Sequence, residues 1–206
     1  MNDEGRGRVS TPAFSLPMKK SALVFLFLAL AVIAARAATV SIANGPGRLI
    51  LQIGSGAATI NQVNISVPGA SVGNGIAVAS SSVTPADPTC PANSVLIDAQ
   101  ARSQNNQPRT ATLTADSSAP LTSGGFTIPF SQVAWTSTTP GGGPNGCLNS
   151  PVTIPSGVFT GAAGQSLVSF GTAQRACVCA QFSYLNQNIV SAGTYAGRVT
   201  YTLAMP

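Results

Sequence analysis

The sequence predicts an all-β protein of two packed antiparallel sheets. Three observations carry this. Short runs of alternating apolar and polar residues recur between Val40 and Met205. Gly, Pro and Asn bound those runs, the composition of turns. Beyond residue 37 there is no Glu and no Lys, and Ala and Leu do not fall at helical spacing, so helix evidence is poor.

The runs follow in order. Val40 and Ile42 alternate first, then Leu49, Leu51 and Ile53 before the turn Gly54-Ser55-Gly56. Ile60 opens the next run, with Val63, Ile65 and Val67 out of phase, as a bulge near Asn61-Gln62 would produce. Ile76 and Val78 mark a short strand. Val95, Ile97, Ala99 and Ala101 alternate with Ser94, Asp98, Gln100 and Arg102. Ala111 and Leu113 lie among threonines, and Phe126, Ile128 and Phe130 precede Val133 and Trp135. Leu167 to Phe170 follows, then Ala176, Val178, Ala180, Phe182 and Tyr184. Tyr195, Val199, Tyr201, Leu203 and Met205 close the chain on one face. About nine or ten strands at this spacing imply a β-sandwich. Trp135, Phe126, Phe130, Phe182 and Tyr184 are expected in its core, the alternative being a sugar-stacking platform.

The N-terminal stretch is excluded from the fold. Met18-Lys19-Lys20, the apolar run Ala22 to Ala35 and the motif Ala35-Arg36-Ala37 give the basic start, apolar middle and small-residue end of a secretory signal peptide. The run is shorter than the ~20 residues a spanning helix needs, so no stable membrane span is expected once it is removed. Residues 1–17 read as an upstream start artefact, 18–37 as the signal peptide and 38–206 as one domain. Only 7% of the chain is charged, and its positive balance resides largely in the leader. The remainder holds Arg48, Arg102, Arg109, Arg175 and Arg198 against Asp87, Asp98 and Asp116. Five scattered Arg do not form the stripe that nucleic acid requires.

The chain has no His, which excludes Ser-His-Asp and Cys-His nucleophile systems and His-ligated metal sites. Asp87 and Asp116 read as turn residues and Asp98 as an exposed strand position, with no spacing that pairs two carboxylates for glycoside hydrolysis. Gly73-Asn74-Gly75 and Gly141-Gly142-Gly143 lack the Lys and helix of a phosphate loop. Asn64-Ile65-Ser66 matches a glycosylation sequon but falls in an expected strand. No catalytic residue, cofactor or metal site is assigned, and the chain is read as a non-enzyme.

Cys90, Cys147, Cys177 and Cys179 all follow the leader, and an even count in an exported chain reads as two disulfides. Cys90 and Cys147 lie in Pro- and Gly-rich loops, whereas Cys177 and Cys179 share one strand face. Two residues apart on an extended strand, their Cα atoms would be ~6.6 Å apart, near the limit for a bridge. Each is therefore expected to bond one loop cysteine, though three connectivities are open.

The ending from Gly193-Thr194-Tyr195 through the alternating strand to Met205-Pro206 resembles the last strand of bacterial exported Ig-like β-sandwich proteins. These include fimbrial subunits of the chaperone–usher type, spore-coat-U-like secreted proteins and WxL-type surface domains. In fimbrial subunits a Gly stands fourteenth from the end, as Gly193 does here, while Met205 stands where they have Tyr. The resemblance implies an assembly strand of Gly193, Tyr195, Val199, Tyr201, Leu203 and Met205. It implies a structural or adhesive role at the periplasm, cell surface or outside, through strand pairing with like subunits or a periplasmic assembly partner. Ala38 to Ala43 offers only Val40 and Ile42 as a donor segment, which is short for filling a partner's groove. The alternative is a self-contained extracellular module binding a glycan or a protein.

Overall fold

The computed structural model describes residues 41–42, 47–55, 62–103, 107–141 and 152–206. The expected leader, the upstream segment, Val40, Ile60, Asn61 and Cys147 lie outside the described residues. The protein is mostly β, with several antiparallel sheets and none closed into a barrel. Among the described residues, no helix is long and apolar enough to cross a membrane.

Sheet A runs in the order β1 (Ser41–Ile42), β14 (Thr200–Ala204), β7 (Thr110–Asp116) and β12 (Gln165–Gly171). Sheet B runs β11 (Gly157–Val158), β10 (Val133–Thr138), β13 (Arg175–Tyr184), β6 (Val95–Ser103) and β2 (Gly47–Ile53). The short β4 (Val78–Ala79) also pairs with the end of β13. Two hairpin-like pairs stand apart: β3 (Gln62–Asn64) with β5 (Ser82–Thr84), and β8 (Leu121–Ser123) with β9 (Phe126–Ile128).

Alternation places one face of every major strand in a single core. Leu49, Leu51, Ile97 and Ala99 of sheet B share it with Leu113, Ala115, Phe170 and Leu203 of sheet A. On β13 the inward set is Ala176, Val178, Ala180 and Phe182, a run of small residues and one valine that ends at an aromatic cluster. There Trp135 and Phe159 lie 4.9 Å apart between ring centres, with Phe130 and Phe182 at 5.8 and 6.0 Å from Phe159. The Trp135 indole N–H donates to the Pro155 carbonyl at 2.8 Å, so its one polar group is satisfied inside the core. A Cβ at Gly157 would sit 2.8 Å from the Trp135 ring, so β11 passes this close only as glycine.

Several sequence expectations change. Phe126 is 57% exposed rather than in the core, because it opens β9 in the small β8–β9 pair, off the two main sheets. Ile65 and Val67 fall beyond the end of β3, and Ile76 is an exposed loop residue ahead of β4. Asp98 is buried, not exposed. β6 has cover on both faces, and the outer one holds Leu96 against Cys90, Cys177 and Cys179.

A polar hub closes one end. Asn186 follows β13 fully buried, in the left-handed conformation (φ 56°) that Asn tolerates better than most residues. Its amide N–H groups donate to the Ser71 carbonyl (2.7 Å) and Asn74 Oδ1 (2.8 Å), and its Oδ1 accepts from Gly73 N–H (2.8 Å). Asn186→Ala is expected to cost about 2–3 kcal/mol, since it strands several buried partners at once. Amide hydrogen exchange should show the loss concentrated at residues 71–76.

Candidate functional site

The residues that sequence reasoning grouped as an assembly strand divide into two parts. Tyr201, Leu203 and Met205 point inward and are buried, and Val199 packs partly against the same core. Met205 reaches across to sheet B, where a Cβ on Gly47 would lie 2.7 Å from its Cε atom. Gly193 and Tyr195 precede the strand instead of continuing it. The exposed Gly193 backs onto the β8 end, where a Cβ would meet Ser123 Oγ at 2.6 Å. The Tyr195 hydroxyl donates to the Ser191 carbonyl at 3.1 Å. Ala196 exchanges both backbone hydrogen bonds with Thr122, at 2.8 and 3.0 Å, which ties this stretch to β8.

One flank of β14 is fully occupied. β7 pairs with it from Thr200↔Asp116 to Ala204↔Thr112. The other flank meets β1, which runs parallel and, among the described residues, pairs at Ser41↔Thr202 and Ile42↔Leu203. The residues on either side of β1 in sequence lie outside the described residues. Strand flanks of this kind are where a further strand adds. Sequence inspection marks a strand at Val40 and Ile42 but not its parallel neighbour, because alternation does not say which strands pair. It also missed Arg109, whose guanidinium donates to the Pro206 carbonyl at 3.0 Å and anchors the chain end.

Burial pushes the Tyr201 phenol above its ordinary value, and Tyr184 is raised by burial and by its neighbour Tyr195. The unfolded chain releases a tyrosine proton near pH ~10, whereas the folded chain keeps it. Tyr201 therefore contributes its full stability below that pH and loses it as the pH rises toward the higher folded value. Stability should fall off above pH ~10, and Tyr201→Phe should flatten that limb.

Cys90 and Cys179 form a disulfide between the loop preceding β6 and the outer face of β13. Cys177 is disulfide-bonded too, while Cys147 lies outside the described residues. The Cys90 loop is further shaped by Asp87, whose Oδ1 accepts from Thr89 N–H (2.9 Å) and Thr89 Oγ (2.6 Å). Asp116 makes the same turn contacts with Ser118, which lower its carboxyl below the usual range. Both carboxylates shape turns, as the sequence indicates, Asp116 from the last position of β7. The third, Asp98, lies on the outer face of sheet B in a two-pronged ion pair with Arg175, at 2.7 Å to Nε and 2.6 Å to Nη2. Among the described residues, no three His, Cys, Asp or Glu side chains converge. Compared with protein-family models, curated proteins and solved structures, the chain finds no match in any of the three.

Proposed function

We propose that this chain is an exported structural or adhesive surface protein, a two-sheet Ig-like sandwich that assembles by β-strand pairing along one flank of β14. The observation that carries the reading is the parallel addition of β1 to β14 at Thr202 and Leu203, on the flank away from β7. A longer apolar segment from a like subunit or an assembly partner would add backbone hydrogen bonds there, the mode of strand addition. The disulfide supports folding in an oxidising compartment, and the leader-like sequence supports export. The burial of Tyr201, Leu203 and Met205 within one chain favours a second reading, a self-contained module whose surface binds a glycan or a protein.

The two readings separate in one experiment. The full chain is expressed with its leader in a host with a periplasm, and the product is examined by N-terminal sequencing and size-exclusion chromatography. Cleavage after Ala37, together with oligomers that incorporate a labelled peptide of residues 38–46, supports strand pairing. A thermally stable monomer that never takes up the peptide overturns it in favour of the self-contained module.

A further inference from the structure

The outer face of sheet B holds an arrangement of charge that the fold alone does not explain. The β2–β6 register sets Arg48 directly opposite Arg102. Side chains in such pairs start ~4.5–5.5 Å apart, and like charges placed there are destabilising. Neither arginine has an ion-pair partner among the described residues, since the carboxylate on this face, Asp98, is committed to Arg175. In a chain so poor in charge, two exposed arginines thus stand opposite each other without a counter-charge among the described residues.

Beside Arg102 opens a cleft of about 170 Å³, lined by Gln100, Ala101, Arg102, Ala173, Gln174 and Arg175. Ala173 shapes its rim from the left-handed region (φ 66°), rare for alanine, held there by its N–H to the Ala101 carbonyl at 2.9 Å. The Gln174 Oε1 accepts from Gly171 N–H at 2.6 Å, and its amide donors make no hydrogen bond among the described residues. Gln100 donates to Asp98 Oδ2 at 3.2 Å, and its Oε1 is likewise uncommitted among them. The cleft thus presents a fixed positive charge, amide donors and an amide acceptor side by side.

We propose that this cleft binds an acidic saccharide, with a uronate carboxylate held by Arg102 and Arg48 and ring hydroxyls held by Gln100 and Gln174. A planar carboxylate matches the guanidinium fork in two-pronged geometry. Hydroxyls both give and accept hydrogen bonds, so they satisfy Gln100 Oε1 and the Gln174 amide together, whereas sulfate has no hydrogen to give. The site is on the outer face of sheet B, apart from the β14 flank in sheet A, so it stands or falls independently of strand pairing.

The test uses the full chain after expression with its leader, titrated with tetragalacturonate by NMR or calorimetry, with neutral maltotetraose and sodium sulfate in parallel. Saturable binding of tetragalacturonate alone is expected. Arg102→Gln should weaken it about tenfold or more, the scale of one charged hydrogen bond. Arg48→Gln should weaken it less and serves as the second variant if Arg102→Gln folds poorly. Arg198→Gln makes the same charge change just ahead of β14 and should leave binding unchanged. Without saccharide, Arg102→Gln should be at least as stable as the parent, because it relieves the repulsion with Arg48. Absence of tetragalacturonate binding, equal binding of sulfate, or an equal loss in Arg198→Gln overturns the assignment.

Discussion

Arg175→Ala is expected to lower the unfolding free energy by about 3–5 kcal/mol, the scale for leaving one member of a buried ion pair alone. The Asp98 side chain is 4% exposed and Arg175 21%, so the cost falls on the carboxylate. With the guanidinium gone, Asp98 keeps, among the described residues, the Gln100 amide at 3.2 Å as its polar partner. Urea denaturation of parent and variant measures the difference. The mechanism is checked by the double variant Asp98→Leu/Arg175→Met, which removes both charges. A buried charge pair replaced by apolar groups is often close to neutral, so the double variant should recover most of the loss. A double variant as unstable as Arg175→Ala would show that Arg175 acts through packing instead of charge.

Breaking the Cys90–Cys179 bridge comes next in size. The bond spans 89 residues of sequence, and cross-linking a loop of that length removes about 4–5 kcal/mol of chain entropy from the unfolded state in the simplest account. Cys90→Ser/Cys179→Ser should lose about that amount, read from the denaturation midpoint under non-reducing conditions. Reductant should lower the parent toward the variant. The bridge also holds the loop that covers Leu96 on the outer face of β6, so the variant should expose this face to amide exchange before the core. Peptide mapping of the intact protein should in addition recover Cys90 linked to Cys179.

The major strands are legible wherever their inward residues alternate regularly. Ala176 to Tyr184 and Val95 to Ala101 were found by alternation, since their inward residues are apolar and regularly spaced. Asp98 was misplaced for the converse reason. Its position is outward by period two, and period two carries no information about what lies over the outer face. Phe126 falls at an inward position by alternation, but the β8–β9 pair it belongs to is separate from the two main sheets. Phe159 sits at the centre of the aromatic cluster yet stands alone between Val158 and Thr160, with no alternating run to announce it. Tyr195 shares the parity of Tyr201 and Leu203, but Gly197 lies between them. A Cβ there would press on Leu121 and Phe130 at 3.0–3.1 Å, so the chain passes that point as a turn segment and starts its strand only at Thr200. Of the candidate site, the inward face of β14 was legible and the state of its flank was not, because strand neighbours are chosen by the whole topology.

The position of β14 between β1 and β7 has a consequence for the order of events during biogenesis. Sheet A sets Ser41 and Ile42 beside Thr202 and Leu203, contacts of very long sequence separation. Such contacts form late, since the loop they close must be ordered first. Nothing delivered before Thr200 can complete the sheet, and Leu203 and Met205 fill core space that stays vacant until then. A chain made N-terminus first therefore holds this part of its core open until β14 is delivered.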